Sequence, residues 1–229
     1  MKQTLKVDLH VHTGEDPYEK ITYSAYELID RACEQEFDVI AITNHNTVTY
    51  DHEIASYAEQ KGVLLLAGME GTFSRKHVLI INPICQKISR KLTLEDLTRH
   101  KREESLIIAA HPFYPSSTTL KSLLHEYIFL FDAIEFCHCY NHLMNFNKKA
   151  IQAASLYKKP LIGTSDSHQI WQFGKTYTLV EAEKDPFSVI QAVKEGKVEI
   201  VTTPLSFSSL LRVTMNFFIS HTLKIPYTL

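Results

Sequence analysis

Apolar positions along the chain fall into short runs separated by stretches of helical spacing. In residues 5–12, Leu5, Val7, Leu9 and Val11 alternate with Lys6, Asp8, His10 and His12. This alternation predicts a strand with Asp8, His10 and His12 on one face. A polar loop follows, Thr13-Gly14-Glu15-Asp16-Pro17. From Ser24 to Glu36 the period becomes helical. Ser24 and Glu27 have capping-box spacing, and Ala25, Leu28, Ile29, Ala32 and Cys33 make an apolar stripe. Phe37 to Thr43 is almost continuously apolar, as in a strand covered on both faces. It ends in Asn44-His45-Asn46.

The alternation continues. A helix is expected at about 48–61, then a strand from Val63 to Ala67 that ends in Gly68-Met69-Glu70. His77 to Ile81 is another short strand, and Thr93 to Arg102 a charged helix with Thr93 and Asp96 at its cap. The strand Leu106–Ala110 runs into His111-Pro112, with a helix at about 119–127. Phe131 to Phe136 leads into Cys137-His138-Cys139, followed by a helix at about 142–158. Pro160 to Thr164 leads into Ser165-Asp166-Ser167-His168. A last strand, Thr176 to Glu181, precedes a helix opened by Asp185-Pro186. Alternating strands and helices predict a parallel sheet. About seven repeats in one chain fit a closed barrel more simply than an open sheet. An open doubly wound fold is the alternative, but it would put a Gly-rich turn after strand one, where this chain has His12-Thr13-Gly14-Glu15.

A length of 229 residues suits one domain, and 45% hydrophobic residues supply a sizeable core. A net charge of −2 gives no pull toward nucleic acid or an anionic membrane. Cys33, Cys85, Cys137 and Cys139 lack the spacing of a disulfide framework or zinc ribbon, so they read as reduced thiols. No secretory leader or apolar span is evident, which predicts a cytoplasmic protein.

Position matters more than number among the histidines. His10, His12, His45, Glu70, His111, His138, Asp166 and His168 stand at or just past the C-terminal ends of apolar strands. In a β/α barrel those ends converge on one face, where active sites lie. A His-x-His pair alone is unremarkable. Eight such residues at strand ends are hard to explain by packing, because unpaired polar groups inside a barrel are costly. They predict a metal site.

These motifs resemble the PHP (polymerase and histidinol phosphatase) family in order and spacing over about residues 5–203. The carriers are Asp8-Leu9-His10-Val11-His12, Thr43-Asn44-His45-Asn46, Ala110-His111-Pro112 and Thr164-Ser165-Asp166-Ser167-His168, with Glu70 completing the set. The resemblance implies a distorted (β/α)7 TIM-like barrel of the amidohydrolase-like type, over residues 1–203, with two or three divalent ions (Zn, Mn or Fe). It implies His10, His12 and Asp166 at one ion. Glu70 would bridge to a second held by His111 and His138. A third would take His45, His168 and a loop residue, Asp16 or alternatively Glu15. The family's Thr-Asp-His-Asp is here Thr43-Asn44-His45-Asn46, which removes two negative charges and is expected to act outside the metal ligands. Cys137 and Cys139 are expected to face away from His138 as small buried hydrophobes.

The resemblance implies a phosphoesterase that cleaves a small phosphomonoester, nucleotide or oligonucleotide end with a metal-activated hydroxide. Asp166 or His168 would move a proton to the leaving alkoxide. Arg75, His77 and Lys175 are candidate substrate contacts, with Lys76, Lys148, Lys149, Tyr18 and Tyr140 behind them. A hydrolase of C–N or C–O bonds and a non-catalytic metal-binding module are the alternatives. Residues 204–229 read as an apolar helix packed on the barrel or on a partner subunit, which admits a homo-oligomer.

Overall fold

The computed structural model describes residues 2–213 and 215. The strands are β1 (Gln3–Val11), β2 (Val39–Ile42), β3 (Leu64–Phe73), β4 (Lys76–Ile81), β5 (Leu106–Ala109), β6 (Ala133–Cys137), β7 (Leu161–Thr164), β8 (Thr176–Ala182) and β9 (Val198–Thr202). The helices are α1 (Ala25–Glu34), α2 (His52–Gln60), α3 (Leu123–Glu126), α4 (Asn147–Tyr157) and α5 (Pro186–Lys194). Among the described residues the strands form one sheet in the order β7-β6-β5-β4-β3-β2-β1-β8-β9.

The sheet curls into a nearly closed barrel. His12 N–H donates to Ser167 O at 3.1 Å, which brings the end of β7 back to β1. Lower down, Gly163 N–H donates to Thr178 Oγ1 (2.9 Å), which in turn donates to Gly163 O (2.8 Å). This approach needs glycine: a Cβ at Gly163 would stand 2.7 Å from Ile200 Cγ2 and 2.9 Å from Tyr177 O. One buried cluster draws on all of β1 to β8, including Val7, Ala41, Leu66, Leu79, Ile108, Ala133, Ile162 and Val180, and on Val189 and Val193 of α5. It fills the barrel. Each buried Val, Leu or Ile of this cluster contributes about 1.5–3 kcal/mol by leaving water. Separate outer clusters seat α1 and α2 on one side and α4 on the other.

The helix caps follow the sequence signals. Ser24 N–H donates to Glu27 Oε2 (2.8 Å) in a full capping box. Asp185 accepts from Ser188 N–H at 2.9 Å, with Pro186 in the first turn. Cys33 is exposed rather than part of the α1 stripe.

The (β/α) repeat is broken in several places, one of them between β7 and β8, where no helix intervenes and β8 runs antiparallel to β1. β3 and β4 form a two-residue hairpin through Ser74 and Arg75, both with positive φ (48° and 64°), as a tight I′-type turn requires. β4 therefore runs antiparallel to both β3 and β5. The expected helix at 93–102 is a 3-10 segment, Leu94–His100. That at 119–127 shrinks to α3 and a 3-10 turn, Ile128–Leu130. The sequence reading also missed β9, which pairs antiparallel with β8.

A bulge in β1 corrects the expectation that Asp8, His10 and His12 share a face. Asp8 pairs with Ile40 and Val11 with Ile42, so β1 carries one extra residue there. Val7 packs in the barrel, while Val11, Ile40 and Ile42 pack in the outer cluster. Asp8 thus lies on the side of Ile40 and Val11, and His10 and His12 turn inward.

Residues 207–213 are helical; Leu210 is buried, while Phe207, Leu211 and Met215 are exposed. Phe217, Phe218, Ile219 and Leu223 of the expected tail lie outside the described residues. Among the described residues no helix is long and apolar enough to cross a membrane.

Candidate metal centre

The strand ends bring most of the expected residues together. His10 Nε2 and His12 Nε2 stand 3.1 Å apart. Glu70 Oε2 is 3.6 Å from His10 Nε2, 3.3 Å from His12 Nε2 and 3.0 Å from His45 Nε2. Its other oxygen, Oε1, is 2.9 Å from His77 Nδ1 and 3.0 Å from His111 Nε2. Asp166 Oδ1 is 3.3 Å from His10 Nε2 and 3.6 Å from His12 Nε2. His168 stacks on His12 with ring centroids 4.4 Å apart. Glu70 is therefore the hub, and His77, expected as a substrate contact, joins the ring around it.

Backbone strain accompanies these positions. Asn46, His111 and Asp166 all have positive φ (57°, 26° and 44°). Such residues cost about 1–3 kcal/mol each and persist where the surroundings over-determine them.

A second layer fixes the rings. His10 Nδ1 lies 2.6 Å from Glu135 Oε1, and Glu135 also accepts from Thr164 Oγ1 and His111 N–H. Asp16 Oδ2 accepts from His45 N–H at 2.9 Å and lies 2.8 Å from His45 Nδ1 and 3.2 Å from His12 Nδ1. The loop carboxylate expected at a metal thus stands behind two rings, on the nitrogens turned away from Glu70. The carboxylate of this loop that reaches an Nε2 is Glu19, at 2.9 Å from His168. Glu15 accepts from Ala25 N–H at the start of α1.

The electrostatics are those of a dense ion network. Burial opposes charge on His10, yet Asp166, Glu135 and Glu70 hold its pKa well above the usual imidazole range. Burial would raise Glu70, but His77, His10 and His45 hold it well below the carboxylate range. Burial lowers His168, and Glu19 with Asp166 outweighs it, raising the ring to about 9. Glu19 is held down in turn, against burial, mainly by His168.

The donor set fits divalent metal. Rings whose Nδ1–H is taken by Glu135 or Asp16 present Nε2 as a lone pair, and two such nitrogens face each other and two carboxylates. A divalent cation in place of the protons held on these rings would balance that arrangement, and nitrogen and oxygen donors at these separations could hold one.

The remaining expectations divide. Asn44 bonds Thr13 and Thr49, and Asn46 bonds Thr72, so both brace loops, as expected for positions outside the ligands. His138 meets Gln172 Nε2 at 3.0 Å and Cys139 Sγ at 3.4 Å. Cys137 and Cys139 do not face away. Cys137 shares the inner side of β6 with Glu135, and its Sγ lies 3.8 Å from Asp166 Oδ2. The strand period stops at Cys137, so it does not govern Cys139. Arg75 is exposed at the β3–β4 turn, Lys76 Nζ is taken by Ser117 O, and Lys175 is exposed on a separate surface cavity of about 210 Å³ beside Trp171 and Ser206. None of these cations joins the Glu70 cluster. Arg90, which the sequence reading passed over, lies 5.2 Å over the Tyr18 ring, and Tyr18 stands edge-on to His45 at 6.5 Å.

Residues 145–198 match a family model described as PHP-associated. No curated protein matches the chain. Among solved structures, it resembles a two-domain protein from Bacteroides vulgatus containing a predicted PHP-like metal-dependent phosphoesterase. The identity is 22% and the TM-score 0.68, over 92% of this chain and 69% of that one. It resembles the lesion-specific endonuclease PfuEndoQ from Pyrococcus furiosus at 17% identity and TM-score 0.58, over 93% of this chain and 66% of that one. An amidohydrolase from Chromobacterium violaceum is similar at 14% identity and TM-score 0.56, over 84% and 97% of the two chains.

Proposed function

We propose that this chain, a PHP-family protein by its fold, its motifs and the match over residues 145–198, is a metal-dependent phosphoesterase. Its substrate is a small phosphomonoester, a nucleotide or an oligonucleotide end. One observation carries the reading: His10 and His12, pinned at Nδ1 by Glu135 and Asp16, turn paired Nε2 atoms toward Glu70 and Asp166.

His10, His12, Glu70 and Asp166 would hold one ion, and Glu70, His111 and His77 a second, with His77 in the place expected for His138, which meets Gln172 and Cys139 instead. His45, Glu19 and His168 would hold a third, more exposed one, with Glu19 in the place expected for Asp16. Divalent ions there supply Lewis acidity, polarising the phosphoryl group and making water a nucleophile near neutral pH. The chain's own residues set the rest. Asp166 and His168 adjoin, with His168 Nδ1 3.0 Å from Asp166 O, and one of them would move a proton to the leaving oxygen. When the third ion is absent, the His168–Glu19 pair retains a proton at neutral pH. Tyr18, edge-on to His45, and Arg90, over the Tyr18 ring, would hold the substrate's remote phosphate or base.

The test is phosphate release from a panel of phosphate esters by protein loaded with Zn²⁺, Mn²⁺ or Fe²⁺. Oligonucleotides belong in the panel because one similar structure is an endonuclease, although a net charge of −2 offers no broad basic surface. Turnover without phosphate release, on amides or lactones, would favour the second reading, C–N or C–O hydrolysis, which the likeness to an amidohydrolase supports. No turnover with fewer than two bound ions leaves a metal-binding accessory module.

A further inference from the structure

We infer that one flank of the metal centre, built by the β3–β4 turn and the segment after β4, is a track for the phosphates of a single-stranded nucleic acid. Its cations are Arg75, Lys87, Arg90 and Lys91. The inference rests on the phosphoesterase reading and narrows the substrate class of the same site.

Charge is segregated along the chain. Between Glu70 and Glu95 stand five cations, Arg75, Lys76, Lys87, Arg90 and Lys91, and no Asp or Glu. The net charge of −2 conceals this. Arg75, Lys87, Arg90 and Lys91 are all exposed, and among the described residues none of them pairs with a carboxylate. Elsewhere Arg31, Lys61, Arg99, Lys184 and Lys197 each pair with one. Like charges gathered without partners repel one another, and a bound polyanion relieves that repulsion.

The fold gathers these cations beside the centre. Arg75 lies in the β3–β4 turn two residues before His77, whose Nδ1 is 2.9 Å from Glu70 Oε1. Ser74 N–H donates to Leu92 O at 2.8 Å and Leu94 N–H to Ser74 Oγ at 3.1 Å, which brings Lys91 to the same turn. Val48 N–H donates to Gln86 O (2.8 Å) and Ile88 N–H to Asn46 O (3.0 Å), so Lys87 lies opposite Thr47, two residues past His45. Ile88 packs on the outer core, and the alternation of an extended segment turns Lys87 out to solvent. Arg90 lies 5.2 Å over the Tyr18 ring, itself edge-on to His45. Lys76 is turned to Ser117 O and stands outside the track.

Two observations select nucleic acid among polyanions. Tyr18 is 52% exposed with a guanidinium over its ring, an aromatic–arginine platform of the kind on which unpaired bases stack. Polyphosphate and sulfated sugars have no base to place there. His10, His12 and Glu70 are buried, so a scissile phosphate reaches them from a strand free of its complement.

The experiment uses the full metal-loaded chain and the fluorescence anisotropy of a labelled single-stranded DNA of about 12 nucleotides. Phosphorothioate linkages keep its charge and slow its hydrolysis. The wild type should bind it at least about tenfold more tightly than a mononucleotide, with log affinity falling linearly in log salt. The triple variant Arg75→Ala, Lys87→Ala, Lys91→Ala should bind about 10–100-fold more weakly near about 0.1 M salt, with a slope shallower by about 2. It should hold the same number of ions. Lys184→Ala, which removes a cation paired with Asp38 at the start of β2, should change neither affinity nor slope. Tyr18→Ala should weaken binding of the DNA and not of inorganic polyphosphate. Equal affinity and slope in the triple variant overturn the track, as does a wild type that binds the strand no better than a mononucleotide. Polyphosphate of equal charge bound as tightly as the DNA overturns the assignment to nucleic acid. Phosphate release from small esters without strand binding overturns the track alone. Strand binding without turnover of any ester supports the track and overturns the phosphoesterase reading alone.

Discussion

Glu135 Oε1 lies 2.6 Å from His10 Nδ1, and both side chains are fully buried. A carboxylate in the middle of a barrel strand is expensive unless every lone pair is used. Glu135 spends its oxygens on His10, Thr164 and the backbone of His111, three residues at the ends of three different strands. It therefore sets the tautomer of His10 and ties its ring to the neighbouring strand ends. Glu135→Gln should lower metal affinity about 10–100-fold, as loss of such an orienting carboxylate does elsewhere. Isothermal titration of the stripped protein with Zn²⁺ reads this directly. Unchanged affinity would mean that His10 is held by something else.

Asp16 and Glu19 should separate cleanly. Asp16 meets the Nδ1 atoms of His12 and His45, whereas Glu19 meets His168 Nε2. Asp16→Asn should weaken metal binding without changing the number of ions held. Glu19→Gln should cost one bound equivalent, counted by elemental analysis after gel filtration. The reverse pattern would return Asp16 to the role first expected of it.

Arg90 is exposed, lies over Tyr18 and has no part in the histidine cluster. If it grips a remote phosphate, its interaction with substrate is equal in ground and transition states. Arg90→Ala should then raise KM about tenfold, one charge-assisted hydrogen bond of about 1.5–3 kcal/mol being lost, and leave kcat within a factor of about three. Steady-state kinetics on the best ester of the panel decide it. A collapse of kcat at unchanged KM would place Arg90 in the chemistry instead.

What the sequence discloses and what it hides have a common physical root. Strand-end positions are legible because an apolar run ending in His or Glu marks both a strand and the barrel face to which it points, and His10, His45, Glu70 and His111 all follow this rule. Glu135 carried a signal too, a charge inside the apolar stretch from Ala133 to Cys137, but a strand end draws attention and a strand middle does not. Loops are another matter. Whether Asp16 or Glu19 meets an imidazole from the front depends on the path of residues 13–24, which no period encodes. The β1 bulge at Leu9 and His10 is hidden for a similar reason, because one extra residue changes the face without changing the alternation. The antiparallel β4 was readable in part: the six residues between Glu70 and His77 are too few for a crossover helix.

Asp8 should give the metal-free protein a distinctive pH dependence. Its Oδ1 accepts from His10 N–H and Ser165 N–H at 3.2 Å each, while its Oδ2 is buried with no hydrogen-bond partner. Burial pushes its carboxyl up to about 7, against the hydrogen bonds from Ser165 and His10 that favour the ion. An acid that binds its proton more tightly folded than unfolded stabilises the fold at low pH and loses that contribution as pH rises between the two values. From an unfolded value near 3.8 to about 7, the loss approaches about 4 kcal/mol. Asp16, Glu19 and Glu70 have the opposite sign, but their gain is complete once pH exceeds about 4.5. His10, His45 and His168, all raised, begin to withdraw stability only above about 6.5. Between about 4.5 and about 6.5 Asp8 therefore withdraws stability, while His77, His100 and Cys139, all lowered, add it as pH rises, so the difference between wild type and an Asp8 variant isolates the carboxyl. Asp8→Asn should remove that loss across the interval, measured by urea unfolding of chelator-treated wild type and variant. Parallel pH slopes in the two proteins would show that Asp8 stays ionised in the fold and that a partner for Oδ2 exists.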